Sequence, residues 1–257
     1  MYTLGIDIGS TTSKCAVIKD GKELVAHSLQ TGGLGTGGPE EAMAQLWQSC
    51  GLTRQDMACA FVTGYGRKNY EGADGEISEL TAHALGGRFV FPDLRTVIDI
   101  GGQDAKVIAL SPSGKMVNFV MNDKCAAGTG RFLDVMASIL RLVVDALDTE
   151  AAKATAPAAI SSTCTVFAES EVISQLANGV KRSDLVAGIC RSVASRVAAL
   201  ARRAGVTERV CLSGGVAQND AVRQALSDEL NVPVSVDPLA QYFGAIGAAL
   251  WAYKQQV

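Results

Sequence analysis

The chain has 257 residues, of which 48% are hydrophobic and 19% charged, and its formal net charge is -3 at pH 7. This length and composition are those of a folded globular protein with a sizeable core, and they exclude a disordered or low-complexity chain. Lysine and arginine are dispersed along the chain, at most two together, so there is no basic stripe to follow a nucleic-acid backbone. No apolar run reaches the ~18 residues of a membrane span.

The first residues, Met1 to Ile6, lack the charged start, long apolar run and cleavage site of a secretory signal. We therefore expect a cytoplasmic protein without nucleic-acid or membrane partners. Because thiols stay reduced in the cytoplasm, the seven cysteines are expected to be core thiols or metal ligands rather than disulfides.

The first predicted elements are two strands joined by a polar turn. The apolar run from Leu4 to Ile6 ends in Asp7-Ile8-Gly9, and a second apolar stretch follows at Cys15 to Ile18. The turn offers backbone N–H groups, hydroxyls and one positive charge to a phosphate, from Ser10, Thr11, Thr12, Ser13 and Lys14. At the strand end, Asp7 can hold Mg²⁺ through its waters. An ordinary polar hairpin with a solvent-facing carboxylate is the alternative for this loop taken alone.

The first half continues with a strand near Glu23 to Leu29, a helix from about Pro39 to Cys50, and a strand at Ala58 to Thr63 that ends in Gly64-Tyr65-Gly66. Proline and aspartate interrupt the pattern near Phe91-Pro92-Asp93. We therefore predict two domains, 1–92 and 93–257.

A repeat supports this division. The string D-I-G-x-x-x-x-K occurs at Asp7 to Lys14 and again 92 residues later, at Asp99 to Lys106. Unrelated hairpins would not match both the carboxylate and the lysine. The second loop adds Gly101, Gly102 and Gln103 as candidate nucleotide contacts.

The second half has the same predicted order, β-β-β-α-β, with inserted helices at about Ala126 to Leu140, Val166 to Asn178 and Ser183 to Ala204. A strand at Arg209 to Leu212 then ends in a turn that suits a nucleoside, Ser213-Gly214-Gly215. This pattern resembles the ATPase fold of actin, Hsp70 and the sugar kinases. That resemblance implies an α/β fold of duplicated lobes, a nucleotide cleft between them, and a closing C-terminal helix at Gln241 to Tyr253, with Gln241 near the nucleotide.

Five cysteines lie in apolar strand or helix patterns and are expected in the core: Cys15, Cys50, Cys59, Cys190 and Cys211. Cys125 and Cys164 instead precede predicted helices, in a polar and glycine-rich segment and in a run of capping residues. A thiol at a helix N-terminus favours the thiolate that binds metal. The alternative is that each of these two thiols is only a reactive or helix-capping group and binds no metal.

A [4Fe–4S] cluster needs four thiolates and this pair supplies two. A symmetric dimer with the pair near its twofold axis would supply all four. In that case two copies of the chain would share one cluster.

Four strings carry a further resemblance: N-D-K-C-A-A-G-T-G-R-F, S-S-T-C-T-V-F-A-E-S-E, G-Y-G-R and V-I-D-I-G-G-Q-D. From Leu4 to about Tyr253 the chain resembles the activator components of 2-hydroxyacyl-CoA dehydratases, in the BadF/BadG/BcrA/BcrD ATPase family. The resemblance implies a homodimer with one shared [4Fe–4S] cluster on Cys125 and Cys164. It also implies that ATP hydrolysis is coupled to transfer of one low-potential electron from that cluster. It also implies a dehydratase as electron acceptor and ferredoxin or flavodoxin as donor. Asp7 and Asp99 would anchor Mg²⁺ or orient the attacking water.

Three alternatives stay open at this point. The ATPase subunits of benzoyl-CoA reductases share the fold and the cysteine pattern. A small-molecule kinase of the same fold would leave the cysteines structural and the protein free of iron. A scaffold or regulator would bind nucleotide without electron transfer.

Overall fold

The computed structural model describes residues 1–122, 124–161 and 164–257. These form two compact units, one made of residues 1–94, 110–116 and 237–257 and the other of residues 95–109 and 117–236. None of the helices in this described part of the chain has the length and apolar composition of a membrane span.

The first half of the chain contains β1 (Tyr2–Ile8), β2 (Thr12–Lys19), β3 (Glu23–Thr31), α1 (Gly38–Cys50), β4 (Met57–Thr63), β5 (Gly75–Glu76) and α2 (Glu79–Val90). The second half contains β6 (Thr96–Ile100), β7 (Ala105–Leu110), β8 (Met116–Asn122), α3 (Gly130–Ile139), α4 (Leu147–Ala151), α5 (Thr165–Ala177), α6 (Arg182–Ala204), β9 (Val210–Ser213), α7 (Asp220–Leu230), β10 (Val234–Ser235) and α8 (Phe243–Lys254).

The first unit is built on a five-stranded sheet in the order β3-β2-β1-β4-β5. β1 pairs antiparallel with β2 and parallel with β4. Six consecutive residues of β1 are buried, as expected for a central strand covered on both faces. On one face Leu4, Ile6 and Val17 pack with Leu46 of α1, and on the other Ala16 and Ile18 pack with α8.

The last helix, α8, packs inside the first unit although it lies at the far end of the chain. A Cβ on Gly5 of β1 would overlap the backbone of Ala245, and a Cβ on Gly247 would overlap Ala82 of α2. Glycine at these positions lets α8 lie in backbone contact with its neighbours, because no side chain holds the elements apart.

The second unit repeats the plan with a sheet in the order β10-β9-β6-β7-β8. β6 is antiparallel to β7 and parallel to β9, matching the relation of β1 to β2 and β4. Every residue of β6 and β7 is buried. The long helix α6 buries its apolar face against α4 and α7.

The predicted α/β fold with a repeated β-β-β-α-β order is confirmed. The helices α1, α5, α6 and α8 each begin within two residues of their predicted starts. One helix was placed wrongly: α3 begins at Gly130 rather than near Ala126, because Gly128 has φ +87 and residues 126–129 form a turn. α2 and α4 were not predicted, and the predicted nucleotide cleft stays a prediction.

Candidate functional site

The first phosphate-loop candidate connects β1 to β2. Its turn is closed by the Gly9 N–H, which donates to Thr12 O at 3.0 Å. Ser10 and Thr12 are half-buried and Thr11 is exposed, while Ser13 is buried and its hydroxyl donates to Gly32 O at 2.7 Å. The loop therefore presents Ser10 to Thr12 at its surface and uses Ser13 as an internal anchor.

The repeated spacing of carboxylate and lysine has a direct structural cause. Asp7 is the cross-strand partner of Lys14, and Asp99 is the cross-strand partner of Lys106. Side chains opposite each other in an antiparallel pair lie on the same face. The Lys14 Nζ lies 3.6 Å from the Asp7 carboxylate, so each loop begins with a paired acid and base.

In the first unit, Asp7 lies against two glycines. A Cβ on Gly64 would approach Asp7 Oδ1 to 2.6 Å, and a Cβ on Gly244 of α8 would approach Oδ2 to 2.6 Å. Both glycines are therefore required for the buried carboxylate to occupy its position.

In the second unit, the buried Asp99 has two polar partners. Its Oδ1 accepts a hydrogen bond from the Ser213 hydroxyl at 2.8 Å, and its Oδ2 lies 3.2 Å from Lys106 Nζ. The same ammonium lies 2.8 Å from Asp104. Lys106 is thus held between two carboxylates, in a network in which Ser213 orients Asp99.

The remaining nucleotide candidates are placed as follows. Gly101 and Gly102 are half-buried and Gln103 is exposed, in the loop between β6 and β7. Gly214 and Gly215 follow β9, and Gln241 is half-buried in a short 3-10 turn just before α8.

The second loop is joined directly to the start of α3. The Gly130 N–H donates to Gly101 O at 2.9 Å, and the Arg131 N–H donates to Gly102 O at 2.8 Å. The Thr129 hydroxyl donates to Ala126 O at 2.6 Å, one residue beyond Cys125. A continuous backbone connection therefore links the loop after Asp99 to the segment that carries Cys125.

Cys125 is exposed and lies five residues before α3, so the expectation that it stands at a helix N-terminus is wrong. Its position is set instead by Asn122 at the end of β8. The Asn122 amide donates to Cys125 O at 2.8 Å and to Ala127 O at 3.3 Å, and its oxygen accepts from the Cys125 N–H at 3.2 Å. One side chain thus shapes the turn around the thiol.

Cys164 is exposed and is the N-cap residue of α5, which confirms the predicted helix N-terminus there. The two preceding residues of the predicted capping run, Ser162 and Thr163, lie outside the described residues. The first N–H groups of a helix have no partner within the helix, so an anion at Cys164 would be favoured.

The segment before Cys164 is held by side chains from α5 and α6. Asp184 accepts the N–H groups of Thr155 and Ala156 at 2.8 and 2.9 Å, Gln175 donates to Ala159 O at 2.9 Å, and Glu171 accepts from Ser161 N at 2.9 Å. The Ala156 and Thr155 N–H bonds lower the pKa of Asp184, against a smaller effect of burial.

A positive charge lies near Cys125. Arg196 of α6 places its guanidinium carbon 5.1 Å from the ring centroid of Phe132. Burial lowers the pKa of Arg196, and the charge of Cys125 opposes that effect. Arg196 therefore places a positive charge within electrostatic range of Cys125.

Within residues 1–122, 124–161 and 164–257, no group of three or more His, Cys, Asp or Glu side chains is placed to hold a metal ion.

Sequence reasoning missed two residues that lie beside Cys125, Asn122 and Arg196. Ser213 was predicted only as part of a turn that suits a nucleoside, and its hydrogen bond to Asp99 was not foreseen. Lys106 belonged to the repeat, but its pairing with Asp104 could not be inferred from spacing.

Two units of this plan, each with a glycine turn beside a strand-end carboxylate, define the duplicated-lobe ATPase fold. A ROK-family glucokinase from Streptomyces griseus, solved with glucose and AMPPNP, shares that fold with a TM-score of 0.58 and 14% identity over 99% of this chain and all of that one. The chain belongs to the BadF/BadG/BcrA/BcrD ATPase family, whose model matches residues 4–252. It is accordingly an ATPase.

Two relatives match the chain almost end to end. The (R)-2-hydroxyglutaryl-CoA dehydratase activating ATPase of Acidaminococcus fermentans is 57% identical over 99% of this chain and 98% of that protein. The solved structure of component A of that dehydratase matches with a TM-score of 0.96. The activator of the 2-hydroxyisocaproyl-CoA dehydratase from Clostridium difficile, solved with bound ADPNP, is 50% identical over 99% and 95% of the chains, with a TM-score of 0.96.

Proposed function

We propose that this chain is an ATP-dependent one-electron donor that activates a 2-hydroxyacyl-CoA dehydratase. The observation that carries the proposal is the pair of exposed thiols, Cys125 and Cys164, in an ATPase closely similar to two dehydratase activators. The other five cysteines are buried or half-buried, which suits a packing role.

The surroundings of the two thiols fit an iron–sulfur cluster. Thiolates are the ligands that such clusters use, and both thiols are accessible. The Arg196 guanidinium and the first turn of α5 would supply positive charge and unpaired N–H groups to an anionic group, and the Asn122 amide holds the turn that carries Cys125. When bound, a [4Fe–4S] cluster would supply the electron. Two copies of the chain, as a homodimer, would contribute the four thiolates.

The nucleotide is assigned to the loops of both units. Ser10 to Lys14 and Gly101 to Gln103 would bind phosphate oxygens, and Gly214, Gly215 and Gln241 would line the nucleoside. Asp7 and Asp99 would hold Mg²⁺ or orient the attacking water, and their burial beside a lysine keeps each in one position. Ferredoxin or flavodoxin would return the electron after each transfer to the dehydratase.

The proposal predicts a bound cluster that depends on two cysteines. After anaerobic purification we expect a brown protein with about two irons per chain, since one cubane is shared by two chains. Cys125→Ser and Cys164→Ser should each lose most of the iron, because a hydroxyl is a poor substitute for a thiolate. Absorption spectra and iron analysis measure this.

The matched control is Cys50→Ser. Cys50 is half-buried at the end of α1, and its thiol contacts Leu46 O at 3.2 Å, a bond that serine can also make. Its iron content should equal that of the unsubstituted protein. Full iron binding by the Cys164→Ser protein would refute that ligand, and a colourless protein that phosphorylates a small molecule would identify a kinase instead. A cluster-containing protein that reduces a benzoyl-CoA reductase but no dehydratase would reassign the electron acceptor.

A further inference from the structure

The internal repeat extends to a position that the D-I-G motifs do not include. In the first unit Asp7 is paired in register with Thr63 of the parallel strand β4. In the second unit Asp99 is paired in register with Ser213 of the parallel strand β9. Side chains in register on adjacent parallel strands lie on the same face of the sheet. Each strand-end carboxylate therefore has a hydroxyl residue beside it.

The residue after each hydroxyl is also equivalent. Gly64 and Gly214 both have positive φ, at +90 and +83. A Cβ on either would approach the neighbouring carboxylate, Asp7 at 2.6 Å or Asp99 at 3.0 Å. The equivalence therefore covers carboxylate, hydroxyl and glycine in both units.

The two hydroxyls differ in their hydrogen bonding. Ser213 Oγ donates to Asp99 Oδ1 at 2.8 Å. Thr63 Oγ1 is fully buried and has no hydrogen-bond partner among the residues that the structure describes. A buried hydroxyl without a partner lowers stability unless it serves another purpose.

We propose that Thr63 is the positioning residue of Asp7: when Mg²⁺ and ATP are bound, its hydroxyl donates to the Asp7 carboxylate as Ser213 donates to Asp99. A threonine hydroxyl has one hydrogen to donate, and the oxygens of a carboxylate accept hydrogen bonds. The bond would hold the Asp7 carboxylate in one rotamer. This inference rests on the proposed role of Asp7 at the nucleotide.

The charged and titratable groups around Asp7 are few. Lys14 of β2 lies 3.6 Å from the Asp7 carboxylate, and Cys15 of the same strand interacts with the charge of Asp7. The neighbours from β4 and α8, Thr63 and Gly244, carry no charge. Without the Thr63 hydroxyl, Lys14 would be the main group that holds the Asp7 carboxylate in place.

The test compares Thr63→Val, which replaces the hydroxyl with a methyl group of similar size, with Thr63→Ser, which keeps it. For Thr63→Val we expect kcat for ATP hydrolysis to fall about tenfold, as for loss of a hydrogen bond to a charged group. KM for ATP should change less than twofold, and Thr63→Ser should restore kcat.

The melting temperature of each variant is measured together with its kinetics. Removing an unpaired buried hydroxyl should leave the melting temperature unchanged or higher, so lost activity would not reflect unfolding. If the valine variant does not fold, Thr63→Ala provides the same comparison. The control, Thr3→Val, removes a buried hydroxyl that donates to Ala249 O at 2.9 Å, and it should keep the wild-type kcat.

A Thr63→Val protein with wild-type kcat would overturn the inference. That outcome is distinguishable from failure of the proposed function, which would appear in the unsubstituted protein as absence of iron. A protein that holds iron and hydrolyses ATP normally with valine at this position refutes only the role of Thr63.

Discussion

At the level of single residues, the cysteines separate into two groups by burial. Cys125 and Cys164 are exposed, whereas Cys15, Cys190 and Cys211 are at most 1% exposed. Burial raises the pKa of Cys15 and of Cys190 to about 12, and it raises the pKa of Cys211 as well. These thiols are therefore suited to packing rather than to metal binding or nucleophilic chemistry.

This difference predicts the pattern of alkylation. In iron-free protein at pH 8, iodoacetamide should modify Cys125 and Cys164 and leave Cys15, Cys190 and Cys211 unmodified, as read by peptide mass spectrometry. Alkylation needs thiolate, and a pKa about four units above the working pH leaves about one thiol in 10⁴ ionised. Addition of denaturant should abolish the protection. Equal modification of Cys190 and Cys125 in folded protein would contradict the assignment.

At the level of elements, the segments that carry the two exposed cysteines are irregular but held by specific side chains. Asn122 closes the turn around Cys125, and the start of α3 is bonded to the loop after Asp99. The segment before Cys164 is held by Asp184 of α6 and by Glu171 of α5. The segments that carry the two thiols are therefore held by side chains that no cysteine motif would reveal.

Asn122 is expected to be needed for cluster retention. Asn122→Ala removes both the donor to Cys125 O and the acceptor of its N–H, and Asn122→Asp loses the donor and adds a negative charge. Both variants should lose iron faster than the unsubstituted protein during anaerobic gel filtration. The aspartate variant should lose it fastest, because its carboxylate would repel the negatively charged cluster and its thiolates.

The comparison variant is Asn118→Ala on the same strand. Asn118 donates to Ala204 O at 3.0 Å and accepts from the Phe119 N–H, away from Cys125. Its rate of iron loss should match that of the unsubstituted protein. Equal loss from the Asn118 and Asn122 variants would mean that β8 acts only through general stability.

At the level of the whole chain, the first unit depends on both termini. β1 begins at Tyr2, and α8 ends at Lys254, yet Thr3 and Gly5 lie against Ala249 and Ala245 of α8. The first unit therefore cannot be completed until the last helix has been synthesised.

The glycine contacts of α8 predict a large effect on stability. Gly247→Ala should lower the free energy of unfolding by about 3 kcal/mol, the upper range for overpacking, because its Cβ would overlap the backbone of Ala82. Gly179→Ala, at φ +84 with open space around it, should cost only about 1 to 2 kcal/mol from its left-handed conformation. Urea denaturation measures both, and an equal cost for the two would show that α8 shifts to relieve the overlap.

The amino-acid sequence alone was enough to predict the features that depend on local pattern and on the internal repeat. The β-β-β-α-β order, the paired D-I-G loops and the burial of Cys15, Cys190 and Cys211 follow from hydrophobic spacing and from one string occurring twice. The start of α3 was misplaced, because an apolar and glycine-rich stretch is compatible with both a helix and a turn.

The contacts between residues far apart in the chain required the folded structure. Ser213 and Asp99 are separated by 114 positions, and Thr63 and Asp7 by a whole helix and two strands. Strand register brings them together, and register is set by packing of both faces of the sheet rather than by any local signal. The same reason applies to Asn122 and Arg196, whose residue types are ordinary and whose positions beside Cys125 arise only from the fold.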